Sequence, residues 1–158
     1  MNRRRAIIAI GLGISFPGCL DFRHHGGVVA SPPDGVEDVT FERLEQEEVT
    51  VDPGTDPKLT VDWDEHTFTI EGYVYVGSGE CNQAVLESVD VTESEVQFEI
   101  TPGKSPDHPD YSLVNFACTM EMAPDPYRVE GSIPTNTDRV VVVERDAMDE
   151  MRSVSEYK

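Results

Sequence analysis

Between Thr67 and Ile100 apolar residues return at every second position on both sides of a small-residue turn, which is the period of a half-buried β-strand. Phe68, Ile70, Val74 and Val76 share one phase, with Thr67, Thr69, Glu71 and Tyr73 in the other. Gly77-Ser78-Gly79-Glu80-Cys81 then lets the chain reverse, because its glycines tolerate backbone angles closed to other residues. Glu95 to Ile100 alternates just as cleanly, so one face is buried and the other wet. Between these runs Ala84 and Leu86 point one way, while Val89 and Val91 fall in the opposite phase. Either a bulge lies near Glu87-Ser88 or the strand changes sheet there.

The same period recurs along the chain. Val39 and Phe41 give a weak strand signal that runs into Glu45-Gln46-Glu47-Glu48, a stretch that also suits one turn of helix. Asp52 to Pro57 is a turn, since each proline lacks a ladder donor. Leu59, Val61 and Trp63 alternate before a polar turn at Asp64-Glu65-His66, which makes a hairpin with the strand that follows. Thr101 to Pro109 reads as a loop, and Val114, Phe116, Cys118 and Met120 as the inward face of a strand. Tyr127, Val129, Gly131 and Ile133 form a further face, and Val140 to Val143 a fully buried strand. The expectation is an all-β, immunoglobulin-like β-sandwich of about seven to eight short antiparallel strands, carrying one disulfide. The sandwich is expected over residues 39–145, and 146–158 is read as a short charged tail of helical composition.

Residues 1–18 do not look like part of this fold. Met1 to Cys19 has a basic start, a short apolar run from Ala6 to Phe16, and a Pro17-Gly18 break before the cysteine. That is the layout of an export signal, and the run is too short to span a bilayer, which takes roughly 20 residues. Arg4-Arg5-Ala6-Ile7-Ile8 fits a twin-arginine signal, and Phe16-Pro17-Gly18-Cys19 fits a lipobox whose thiol carries the lipid. The competing reading is an ordinary signal peptide with an incidental Cys19. Residues 19–38 read as the lipidated cysteine and a flexible tether, rich in Gly, Pro, His and Asp. His24-His25 within it is two metal ligands without a third.

The chain carries 31 acids against 12 bases, a formal charge of −19. Loss of Arg3, Arg4 and Arg5 with the signal takes the remainder to −22. No basic patch is visible for phosphates, so nucleic acid is not expected as a partner. Such self-repulsion loosens a compact state in dilute buffer, whereas at about 1 M salt the Debye length is roughly 3 Å, so the acidity reads as adaptation to high salt. With Cys19 assigned to the lipid, Cys81 and Cys118 remain as a pair in an exported protein, where thiols oxidise.

Gly72, Gly77-Ser78, Cys81, Ala84, Leu86, Cys118, Tyr127, Pro134 and a closing valine strand resemble a group of small exported haloarchaeal proteins of unassigned function. The resemblance runs from Glu71 to Glu144 and implies an extracytoplasmic lipoprotein with a β-rich domain, without implying an activity.

Residues suited to chemistry are few. Asp62, Asp64 and His66 would share a face if the strand ran through them and could ligate a cation; in a turn they form a solvated hairpin tip. Asp107, His108 and Asp110 offer a second carboxylate and imidazole set in a loop. Ser78 is outside any Gly-x-Ser-x-Gly elbow, and no phosphate loop or His-Glu-x-x-His helix is present, so no cofactor and no catalytic residue is expected. Two function classes follow. One is a lipid-anchored module on the outer face of the cell membrane, binding an unidentified surface partner or ligand or serving as structure. The other is a metal-dependent hydrolase or metal-binding protein built on the Asp/His sets.

Overall fold

A computed structural model of the 158-residue chain describes residues 27–28, 33–79, 81–105 and 121–158. Two β-sheets face each other across one apolar core. In chain order the strands are β1 (Gly27–Val28), β2 (Glu37–Arg43), β3 (Lys58–Asp62), β4 (Thr67–Tyr75), β5 (Asn82–Val91), β6 (Glu95–Lys104), β7 (Pro124–Ser132), β8 (Arg139–Arg145) and β9 (Met151–Tyr157). One sheet has the order β1-β5-β6-β8-β9 and the other β2-β7-β4-β3.

The alternation read from the sequence sets which side chains meet between the sheets. Phe68, Ile70 and Val74 of β4 are buried against Val96, Phe98 and Ile100 of β6, and the rings of Phe68 and Phe98 lie 4.5 Å apart. Each large side chain buried in this way contributes about 1.5 to 3 kcal/mol. The phase change in β5 is a bulge: the register with β6 shifts between Leu86 and Ser88, which keeps both Leu86 and Val89 inward. Ahead of β5 the Ser78 carbonyl accepts from the Cys81 and Asn82 amides, closing the turn, and Gly77 takes a φ of +78° there. The acidic run after β2 is a 3-10 turn, Gln46–Glu48, in which the Glu48 carboxylate accepts from the Glu45 amide at 2.8 Å.

Two expectations are corrected. The sandwich is not built of seven to eight antiparallel strands: nine strands are described, and β1 with β5 and β6 with β8 pair in parallel. The β6–β8 pair follows from the route of the chain, because β6 leaves one sheet, β7 runs in the other, and β8 returns beside β6 by a crossover. The segment 146–158 is not helical: its residues 151–157 are β9, antiparallel to β8. The expected disulfide pair, Cys81 and Cys118, falls only partly within the described residues. Cys81 is the one cysteine among them; it is buried and disulfide-bonded, while Cys118 and Cys19 lie outside the described residues. The strand expected at Val114 to Met120 also falls outside them.

Candidate functional site

The first expected metal set sits in the β3–β4 hairpin. Asp62 ends β3, and its Oδ1 accepts from the amides of Asp64 and Glu65, both at 3.0 Å. His66 adopts a φ of +56°, with its ring nitrogens 3.2 Å from the Asp64 carbonyl and 3.3 Å from the Thr135 carbonyl. The Asp62 and His66 side chains thus bind backbone groups, and Asp64 takes part through its amide and carbonyl. Among the described residues no group of three or more acidic, His or Cys side chains is placed to hold a metal ion. Asp107, His108 and Asp110 lie outside the described residues.

What the fold does bring together is a set of buried carboxylates, each held by an arginine. A carboxylate taken from water without such a partner would cost several kcal/mol. Asp125 of β7 receives Arg43 of β2 in a forked contact, Nε at 3.0 and 3.1 Å and Nη2 at 2.6 Å. The Asp125 Oδ2 also accepts from the Ala84 amide of β5 at 2.6 Å, so this carboxylate ties the two sheets. Arg43 Nη1 reaches Gln83 Oε1 at 3.4 Å, while the buried Gln83 Nε2 has no hydrogen-bond partner among the described residues. Beside this group lies a cleft of about 440 Å³ lined by Arg43, Leu44, Glu45, Gln46, Asp125 and Pro126.

The second carboxylate is Glu71 of β4, which takes Arg128 of β7 at 2.8 and 3.0 Å and the Thr50 hydroxyl at 2.7 Å. Burial pushes this carboxyl up, but the Thr50 and Arg128 hydrogen bonds outweigh it and hold the group below its ordinary range.

The third is the most enclosed. Glu144 of β8 has no exposed surface; the Tyr127 hydroxyl donates to its Oε1 at 2.6 Å, and Arg152 Nε of β9 donates to its Oε2 at 3.2 Å. Arg152 Nη2 continues to the Tyr73 carbonyl of β4 at 3.3 Å. Room for the carboxylate comes from Gly72, which occupies the inward position between Ile70 and Val74: a Cβ there would lie 2.7 Å from the Tyr127 hydroxyl oxygen. Burial raises the Glu144 carboxyl to about 7 in spite of the lowering pull of Tyr127 and Arg152, and raises the Tyr127 hydroxyl well above its ordinary value.

These three groups were not singled out from the sequence. A signal for one of them existed: Glu144 continues the phase of Val140 and Val142, and a carboxylate at an inward position demands a partner. Comparison with known proteins adds no assignment, for no family model, no curated protein and no solved structure matches the chain.

Proposed function

We propose that this chain is a lipid-anchored, extracytoplasmic binding or structural module of a halophile. The observation that carries the reading is that three buried carboxylates, Asp125, Glu71 and Glu144, are each held by an arginine from a neighbouring strand, while a fourth, Asp146, accepts from the Met148 and Glu150 amides. Groups neutralised in this way serve the sandwich, and contact with a ligand or surface partner falls to loops and clefts such as the one beside Arg43. No helix among the described residues is long and apolar enough to cross a membrane, so in this reading attachment is through lipid on Cys19. Export rests on the twin-arginine and lipobox pattern of residues 1–19 and on the resemblance to small exported haloarchaeal proteins. Wild-type protein is expected in the membrane fraction and Cys19→Ser in the medium. Equal membrane retention of the two would refute lipid anchoring.

The halophile part of the proposal rests on charge. The strand register moderates it: Glu95 lies beside Arg139 at 2.8 Å, Glu99 beside Arg145 at 3.5 Å, and Glu42 pairs across from Arg128. These acids therefore face arginines, which offsets part of the repulsion, and repulsion between exposed acids is screened by salt. Lowering salt from about 1 M to 0.1 M is expected to reduce the melting temperature by several degrees, with the β-sheet circular dichroism signal kept at the high-salt end. An unchanged melting temperature over that range would leave the acidity as a solubility feature alone.

A further inference from the structure

Among the described residues, strand β9 has no neighbour beyond it and forms one outer edge of the five-stranded sheet. The Lys158 amide donates to the Asp138 carbonyl and the Asp146 amide to the Glu150 carbonyl, both at 3.0 Å, so even-numbered residues of β9 turn their backbone groups towards β8. Met151, Ser153, Ser155 and Tyr157 accordingly carry their N–H and C=O groups on the open side. The other long edges are blunted. β3 follows Pro57 and opens on Lys58, and β2 is broken by a register shift between Glu37 and Thr40. β9 pairs with β8 without a shift and holds neither proline nor lysine between Met151 and Tyr157. It also carries two exposed large side chains, Met151 at 61% and Tyr157 at 65% exposure.

We infer that β9 is a docking edge for a second copy of this chain, pairing antiparallel with its own counterpart about a two-fold axis at Val154. The sequence Met151-Arg152-Ser153-Val154-Ser155-Glu156-Tyr157 is self-complementary in that register. Met151 meets Tyr157 of the second copy, Ser153 meets Ser155, and Val154 meets Val154 on the axis. Arg152 falls opposite Glu156, so each copy offers a cation where the other offers an anion. Every outward N–H and C=O from Met151 to Tyr157 is paired at once, whereas a shift by two residues in either direction leaves an end unpaired. Arg152 can serve both roles, since Glu144 and Tyr73 take Nε and Nη2 and leave Nη1 for Glu156. The two acidic copies repel at long range, so the pairing belongs to high salt.

Sedimentation equilibrium of the full chain at about 2 M salt tests this directly. A dimer that dissociates on dilution is expected, with amide exchange at Met151, Ser153, Ser155 and Tyr157 slowing as protein concentration rises. Ser153→Pro removes an outward donor without touching the β8 ladder, so it should melt like the wild type and sediment as a monomer. A wild-type monomer at every loading, or a Ser153→Pro dimer, overturns the inference. Should the variant fail to fold, the wild-type exchange decides: outward amides equally fast at all concentrations also overturn it.

Discussion

Gly72→Val is expected to remove a large part of the sandwich's stability or all of it, even at high salt. The added Cβ would sit 2.7 Å from the Tyr127 hydroxyl oxygen and 2.9 Å from its Cζ, and would press on the Glu144 carboxylate. None of these neighbours can give way. Tyr127 has no exposed surface and stacks on Phe41 with ring centres 5.7 Å apart, and Glu144 is fixed between Tyr127 and Arg152. Overpacking alone costs about 1 to 3 kcal/mol. Displacing the carboxylate from its arginine adds about 3 to 5 kcal/mol. A domain of this size has about 5 to 15 kcal/mol in total. Circular dichroism melts check the outcome: loss of the transition, or a melting temperature far below that of wild type, supports the packing described, and a melting temperature within a few degrees of wild type contradicts it.

Acidification from pH 7 towards 5 is expected to stabilise the protein, with the effect removed in Glu144→Gln. The folded-state value of the Glu144 carboxyl is raised from 4.5 to about 7, mainly by burial. Between those limits the folded chain holds a proton that the unfolded chain has released, so stability falls as pH rises through the window. The difference amounts to about 3 kcal/mol across it. That corresponds to about 6 to 12 °C in melting temperature for a chain of this length. Glu71 works in the opposite sense: its folded-state value is lowered, so the stability it provides is lost as pH falls below 4.5. Wild-type melting temperature should therefore peak near about pH 5, whereas Glu144→Gln should vary little between about pH 5 and 8. A wild-type curve that rises steadily from pH 5 to 8 would show that Glu144 is charged in the fold at little cost.

Periodicity made much of this fold legible. Phe68, Ile70 and Val74 announced β4, and the phase change after Leu86 announced the bulge in β5. What a period cannot carry is the identity of the neighbouring strand. Parallel pairing of β6 with β8 depends on β7 crossing to the other sheet, and nothing in Glu95 to Ile100 records that. β9 escaped for a different reason: two of its inward positions hold Arg152 and Glu156 instead of apolar residues, and Arg152 is there to serve Glu144. The polar pairs were hidden because each joins residues far apart in the chain, as Arg43 joins Asp125 across 82 positions. At the hairpin tip the local pattern was the whole story, since Asp62 binds the amides two and three residues on.

The proposal of an exported, lipid-anchored module is tested most directly by the intact mass of the protein extracted from membranes. The account predicts a chain that begins at Cys19, lacks residues 1–18 and carries additional lipid mass on that cysteine. A chain that retains Met1, or one that begins elsewhere with an unmodified Cys19, would contradict it.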